Sequence, residues 1–99
     1  MAHPNPELSP ASRIQPRPGI LGREIGGEMV LLDVEAGVYY GLNEVGMRAW
    51  ALFSEGSSLG AAHERLLSEY ETEPAVLWRD LESLVRDLAA NGLIDVAAP

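Results

Sequence analysis

The chain has 99 residues, with seven arginines and no lysine against 15 acidic residues, so its formal net charge is −8. A chain of this length builds a single domain. The absence of cysteine excludes disulfides, thiolate metal sites and a thiol nucleophile. No apolar run approaches the length of a membrane span, and the first residues lack the charged and apolar regions of a secretory signal. We therefore expect a cytoplasmic protein.

The charge is distributed unevenly along the chain. Residues 1–27 carry three arginines and two glutamates, a net charge of +1, whereas residues 28–99 carry 13 acids and four arginines, a net charge of −9. Proteins that bind nucleic acids or anionic membranes need a basic surface to neutralise phosphates. The acidic part of the chain argues against both classes of partner.

The N-terminal segment is rich in proline. Five of the seven prolines fall within the first 18 residues, where few apolar residues are available for burial. Proline removes backbone hydrogen-bond donors and disfavours helix. We therefore predict a flexible tail over residues 1–18 and a folded domain over residues 19–97.

Three β-strands are predicted at the start of the folded domain. Residues 20–25, 28–34 and 38–42 are rich in apolar and aromatic residues, and glycine-containing turns separate them. In the third segment, alternation places Val38, Tyr40 and Leu42 on one face of the strand. Such short segments with tight turns predict an antiparallel meander.

From residue 43 the apolar spacing changes to the period of a helix. Asn43 is a suitable N-cap for a first helix, and Ser57 or Ser58 for a second. Pro74 suits the first turn of a third helix, and Gly92 suits its C-terminal end. The two apolar residues after Gly92 are expected to pack back onto the core. The predicted fold is α+β, with the order βββααα.

Catalytic and metal sites are not favoured by the sequence. His63 lies near the apolar stripe of the second helix, and Glu64 faces another direction, so the pair does not form an oriented base. Glu69, Glu71 and Glu73 are more typical of a solvated turn than of a metal site. The sequence has no glycine-rich phosphate loop and no nucleophile elbow. We predict no catalytic residue, cofactor or metal.

The third predicted helix has a wider apolar face than packing against one neighbour requires. Four leucines form one arc, a second arc of Trp78, Val85 and Ala89 lies beside it, and Asp80 and Asp87 make the opposite flank acidic. Two interpretations stay open: Trp78 packs against the sheet, or Trp78 and Val85 form one wall of a groove. The leucines of the first arc are Leu77, Leu81, Leu84 and Leu88.

The third predicted strand offers the other wall of such a groove. As the last strand of a meander it has an edge with unpaired backbone groups, and it lacks the lysine, proline or inward charge that normally protects an edge. An open edge beside a wide helix is typical of peptide capture by strand addition. The residues of this edge are Val38, Tyr39, Tyr40, Gly41 and Leu42.

The strands and helices carry a spaced pattern of apolar, aromatic and glycine residues at positions 30–33, 37–43, Gly46, Trp50, Gly56 and 92–94. Over about residues 20–96 this pattern resembles the PqqD-like family, whose members recognise the leaders of ribosomally synthesised, post-translationally modified peptides. The likeness is greatest to the stand-alone B1 proteins of lasso peptide biosynthesis. The Pro-Glu and Cys-Asp-Gly signatures of the quinone-cofactor chaperones are missing.

The resemblance implies a winged-helix-like fold in which a precursor leader adds to the third strand beside the third helix. Residues 38–42 would receive the leader, and Trp78, Leu81 and Val85 would contact it. Two further partners are implied, a leader peptidase (a B2-type cysteine protease) and an ATP-dependent macrocyclase. The surface acidity suggests that basic residues on the leader or on these enzymes speed the encounter.

Three alternatives stay open at this stage. The protein could be a PqqD-type peptide chaperone of another modified-peptide pathway. It could be a winged-helix transcription regulator, which its acidity disfavours. It could also be an adaptor whose strand edge pairs with a second copy, although we expect a monomer.

Overall fold

The computed structural model describes residues 7–97 and confirms an α+β fold with a three-stranded antiparallel sheet followed by three helices. A small two-stranded sheet, which the sequence pattern does not predict, joins the two ends of this range. The elements are β1 (Arg13–Pro16), β2 (Ile20–Ile25), β3 (Glu28–Asp33), β4 (Val38–Leu42), α1 (Glu44–Ser54), α2 (Leu59–Glu69), α3 (Pro74–Ala90) and β5 (Ile94–Ala97).

The larger sheet is a meander in the order β2-β3-β4. Its second turn closes with a hydrogen bond from the amide of Gly37 to the carbonyl oxygen of Asp33, and Gly37 adopts a φ of +70°, which glycine tolerates best. Leu31 pairs with Tyr40, so these side chains share the face that packs on the helices. Tyr39 lies on the opposite face and is 76% exposed.

The helices begin where the capping residues predict. The side chain of Asn43 accepts a hydrogen bond from the amide of Gly46 at 2.8 Å, and that of Ser58 accepts one from the amide of Ala61 at 3.2 Å. Pro74 occupies the first turn of α3. Each cap satisfies a donor that the helix itself leaves unpaired. None of the helices in residues 7–97 has the length and hydropathy needed to cross a bilayer.

The hydrophobic core lies between the three helices and the inner face of the larger sheet, and it also includes Ile14 and Leu93. The prediction that the segment after Gly92 packs back onto the core is correct, because Leu93 and Ile94 are buried. The core members contributed by the helices are Ala49, Trp50, Leu52, Phe53, Leu59, Ala62, Leu66, Leu77, Leu81, Val85 and Leu88.

The predicted flexible tail is corrected over residues 13–16. These residues form β1, which pairs antiparallel with β5, and Ile14 is only 1% exposed. The backbone before β1 is also held, since the carbonyl oxygens of Pro10 and Ser12 accept hydrogen bonds from the amides of Gly60 and Leu59, each at 2.9 Å. Ile14 is the one buried side chain of β1, and a single residue gives no alternating pattern in the sequence. The prediction therefore rested on the high proline content. Residues 1–6 of the predicted tail lie outside the described range.

Candidate functional site

Strand β4 forms one edge of the larger sheet. It pairs with β3 on one side, and within residues 7–97 no strand pairs with its other side. A Cβ atom placed on Gly41 would have no neighbour within 4 Å, so the surface here is open. The unpaired backbone groups of this edge can therefore accept another strand.

A groove of about 460 Å³ runs beside this edge, between β4, the start of α1, the α2–α3 loop and α3. Its apolar floor includes the buried Leu42, Leu77 and Leu81. The groove is lined by Tyr40, Gly41, Leu42, Asn43, Val45, Gly46, Tyr70, Glu71, Thr72, Leu77, Asp80, Leu81 and Leu84.

A hydrogen bond ties the two walls of the groove together. The hydroxyl of Tyr40 on β4 donates to a carboxylate oxygen of Asp87 on α3 at 3.2 Å. Partial burial raises the pKa of Tyr40, and the charge and hydrogen bond of Asp87 raise it further. The phenol is therefore a neutral donor at physiological pH, and it helps to fix the spacing between β4 and α3.

The structure brings four of the predicted site residues together in this groove, namely Tyr40, Gly41, Leu42 and Leu81. Val38 and Tyr39 lie on the same strand edge but outside the groove lining. The open edge predicted for the third strand is thus present beside α3.

The predicted wall of Trp78 and Val85 is corrected. Val85 is fully buried in the core, and neither residue lines the groove. The ring of Trp78 makes an edge contact with His63 on α2, with centroids 5.3 Å apart and planes at 83°. The wall consists instead of Leu77, Asp80, Leu81 and Leu84, which line the groove.

The correction follows from the geometry of α3. At about 3.6 residues per turn, Asp80 and Leu84 lie on one side of the buried leucine arc, and Trp78 and Val85 lie on the other. A helical wheel does not tell which side faces the sheet. Here the acidic flank faces β4, as the Tyr40–Asp87 hydrogen bond demonstrates. The placement of Asp80 and Asp87 together on one flank of α3 was the signal available in the sequence.

Two of the residues considered for metal or acid–base chemistry, His63 and Glu69, have structural partners. The Nε2–H group of His63 donates a hydrogen bond to the carbonyl oxygen of Pro74 at 2.8 Å. Glu69 forms ion pairs with Arg48 at 2.8 Å and Arg65 at 3.1 Å. Within residues 7–97, no group of three or more histidine or acidic side chains is arranged to hold a metal ion.

The fold and the groove together define an α+β domain with an open strand edge. Residues 28–94 match the family described as coenzyme PQQ synthesis protein D (PqqD). The chain therefore belongs to the PqqD family, as the resemblance in its sequence predicted.

Two solved structures are similar to this chain. One is described as TbiB1 in complex with the TbiA(beta) leader peptide, with 30% identity, a TM-score of 0.77, and coverage of 86% of this chain and 99% of that chain. The other is described as lasso peptide synthetase B1 complexed with the leader peptide, with 32% identity, a TM-score of 0.75, and coverage of 84% and 98%. No curated protein is significantly similar in sequence.

Proposed function

We propose that this protein is a non-catalytic leader-peptide-binding protein of lasso peptide biosynthesis. The observation that carries the proposal is the unpaired edge of β4 beside a groove closed by α3. Both similar solved structures are, by their descriptions, complexes with leader peptides. The leader would bind as a fourth strand of the larger sheet.

The proposed binding mode divides affinity and selectivity between two sets of groups. Backbone hydrogen bonds to Val38–Leu42 supply affinity that depends little on sequence. Alternate side chains of the added strand enter the groove, where the partly exposed Leu84 offers apolar surface above the buried Leu42 and Leu81. The side chains at every second position of the leader then determine selectivity.

The domain acts as an adaptor in this proposal. It holds the precursor in an extended form and delivers it to a leader peptidase, a B2-type cysteine protease, and to an ATP-dependent macrocyclase. Both enzymes would act on a ribosomally made peptide, so we expect this step to occur in the cytoplasm. The net charge of −9 over residues 28–99 supports a peptide ligand over the DNA ligand that a winged helix usually binds.

A peptide selection followed by a backbone scan tests the proposal. A display library of random 20-residue peptides is selected on the full chain, and the most enriched peptide is labelled and titrated by fluorescence anisotropy. Each residue of that peptide is then N-methylated in turn. In an added strand only alternate residues donate to the neighbouring strand. We expect binding to be lost at every second position over about five residues.

Two outcomes would overturn the proposal. One is that the selection enriches no peptide. The other is that N-methylation weakens binding equally at neighbouring positions, or at none, because either pattern excludes strand addition. The scan changes only the peptide, so misfolding of the protein cannot produce its result.

A further inference from the structure

Among residues 7–97, the charged side chains that line the groove are all acidic. They are Glu71 in the α2–α3 loop and Asp80 on α3, and both are exposed at the rim. The arginines of the chain lie elsewhere, and none lines the groove. The rim therefore carries negative charge above an apolar floor.

Three other acids of the chain are already paired with arginines. Glu69, Glu82 and Asp95 lie within 4 Å of arginine nitrogens, at 2.8, 3.5 and 3.9 Å respectively. In the described part of the chain, neither Glu71 nor Asp80 forms an ion pair with an arginine. Their carboxylates are thus available to a ligand in the groove.

The groove has an apolar floor and an acidic rim, an arrangement that suits a long cationic side chain. The buried Leu77 and Leu81 lie next to Asp80 on the same helix, so apolar surface is followed outwards by a carboxylate. Lysine and arginine complement this arrangement, because each has an apolar stem that ends in a cationic group. Such a side chain covers the leucines with its stem and reaches the carboxylates with its charge.

We propose that the groove selects a peptide strand with a lysine or arginine at one groove-facing position, and that Asp80 and Glu71 determine this preference. The inference rests on the proposed function, because the cation is presented by the strand that adds to β4. The groove and the open edge form the site, and the two acids set its specificity.

The test repeats the peptide selection on three proteins. These are the unmodified chain, the groove variant Glu71→Gln/Asp80→Asn, and the control variant Glu55→Gln/Glu64→Gln. The control removes the same charge from exposed acids on the α1–α2 surface, away from the groove. We expect one position enriched in lysine or arginine for the unmodified chain and the control, and no such enrichment for the groove variant.

A direct titration measures the contribution of the charge. In the best peptide from the unmodified chain, the enriched cation is replaced by norleucine, which keeps the stem and removes the charge. We expect about two- to fivefold weaker binding to the unmodified chain, the range of exposed ion pairs. The same replacement should change binding to the groove variant by less than about 1.5-fold.

The outcomes separate the inference from the proposed function. If peptides are enriched and show the alternating N-methyl pattern but carry no lysine or arginine preference, the inference is wrong and strand addition stands. An equal preference in the groove variant also contradicts it. If no peptide is enriched, the proposed function fails and the inference fails with it.

Discussion

Two adjacent residues of α3 have opposite roles in this structure. Leu84 lines the groove and is partly exposed, whereas Val85 is completely buried in the core. The difference arises because a rotation of about 100° separates neighbours on a helix. Substitutions at these two positions therefore distinguish loss of binding from loss of stability.

Leu84→Ala is expected to weaken binding of the selected peptide by about 5- to 30-fold, since a leucine covered by ligand contributes about 1–2 kcal/mol. Anisotropy titration measures this effect. Val76→Ala is the matched control, because Val76 is an exposed apolar residue of α3 outside the groove lining. An equal loss for both variants would contradict the assignment of the groove.

Val85→Ala is expected to act on stability instead. The free energy of unfolding should fall by about 2 kcal/mol, from the lost burial and the cavity that remains. Urea denaturation measures it, and the folded fraction should bind peptide with nearly unchanged affinity. If the variant were as stable as the unmodified protein but bound peptide more weakly, Val85 would be a binding residue after all.

The ion pairs of Glu69 predict a dependence of stability on pH. The hydrogen bond from Arg48, with a further one from Arg65, lowers the pKa of Glu69 from 4.5 to about 2. A carboxyl with a lowered pKa in the folded state stabilises the fold above its unfolded pKa. This stabilisation is lost as the pH falls from about 4.5 to about 2.

Glu69→Gln should remove that part of the acid sensitivity. We expect the thermal midpoint of the unmodified protein to fall more steeply between pH 4.5 and 2 than that of the variant, as measured by circular dichroism. Glu64→Gln, an exposed change on the same helix, is the control. Parallel curves for all three proteins would show that these ion pairs do not stabilise the fold.

At the scale of elements, the pairing of β1 with β5 makes the N-terminal segment part of the domain. The two strands close the chain on itself, and β1 carries one inward side chain, Ile14. Gly60 allows the backbone to pass closely, because a Cβ atom there would lie 2.8 Å from the Cβ atom of Pro10. The close approach holds this segment against the start of α2.

Ile14→Ala should destabilise the protein by about 2–4 kcal/mol, the usual range for truncating a buried isoleucine. Gln15→Ala on the same strand should change stability by less than about 0.5 kcal/mol, because Gln15 is exposed. Urea denaturation of both variants measures the difference. If Ile14→Ala were also neutral, the segment would behave as the flexible tail that proline content predicts.

At the scale of the whole molecule, the net charge of −8 influences how fast a cationic peptide associates. The screening length falls from about 30 Å at 0.01 M salt to about 8 Å at 0.15 M. We expect the association rate of the selected peptide to fall several-fold over this range, with a smaller change in the dissociation rate. Stopped-flow fluorescence measures both rates. An association rate independent of salt would exclude electrostatic steering.

Much of the local structure could be predicted from particular residues. Asn43, Ser58 and Pro74 mark the starts of the helices because capping acts over three or four residues of chain. The alternation placed Val38, Tyr40 and Leu42 on one face of β4, and these are the less exposed residues of the strand. The open edge also follows from the order of strands in a meander.

The sequence by itself determined the three strands of the larger sheet, the three helices, the net negative charge and the family. Only the tertiary structure decided that β1 pairs with β5 and that the acidic flank of α3 faces β4. The first pairing joins segments at opposite ends of the chain, and the second depends on how a helix is rotated against the sheet. Both are set by packing of the whole core, which local periodicity does not encode.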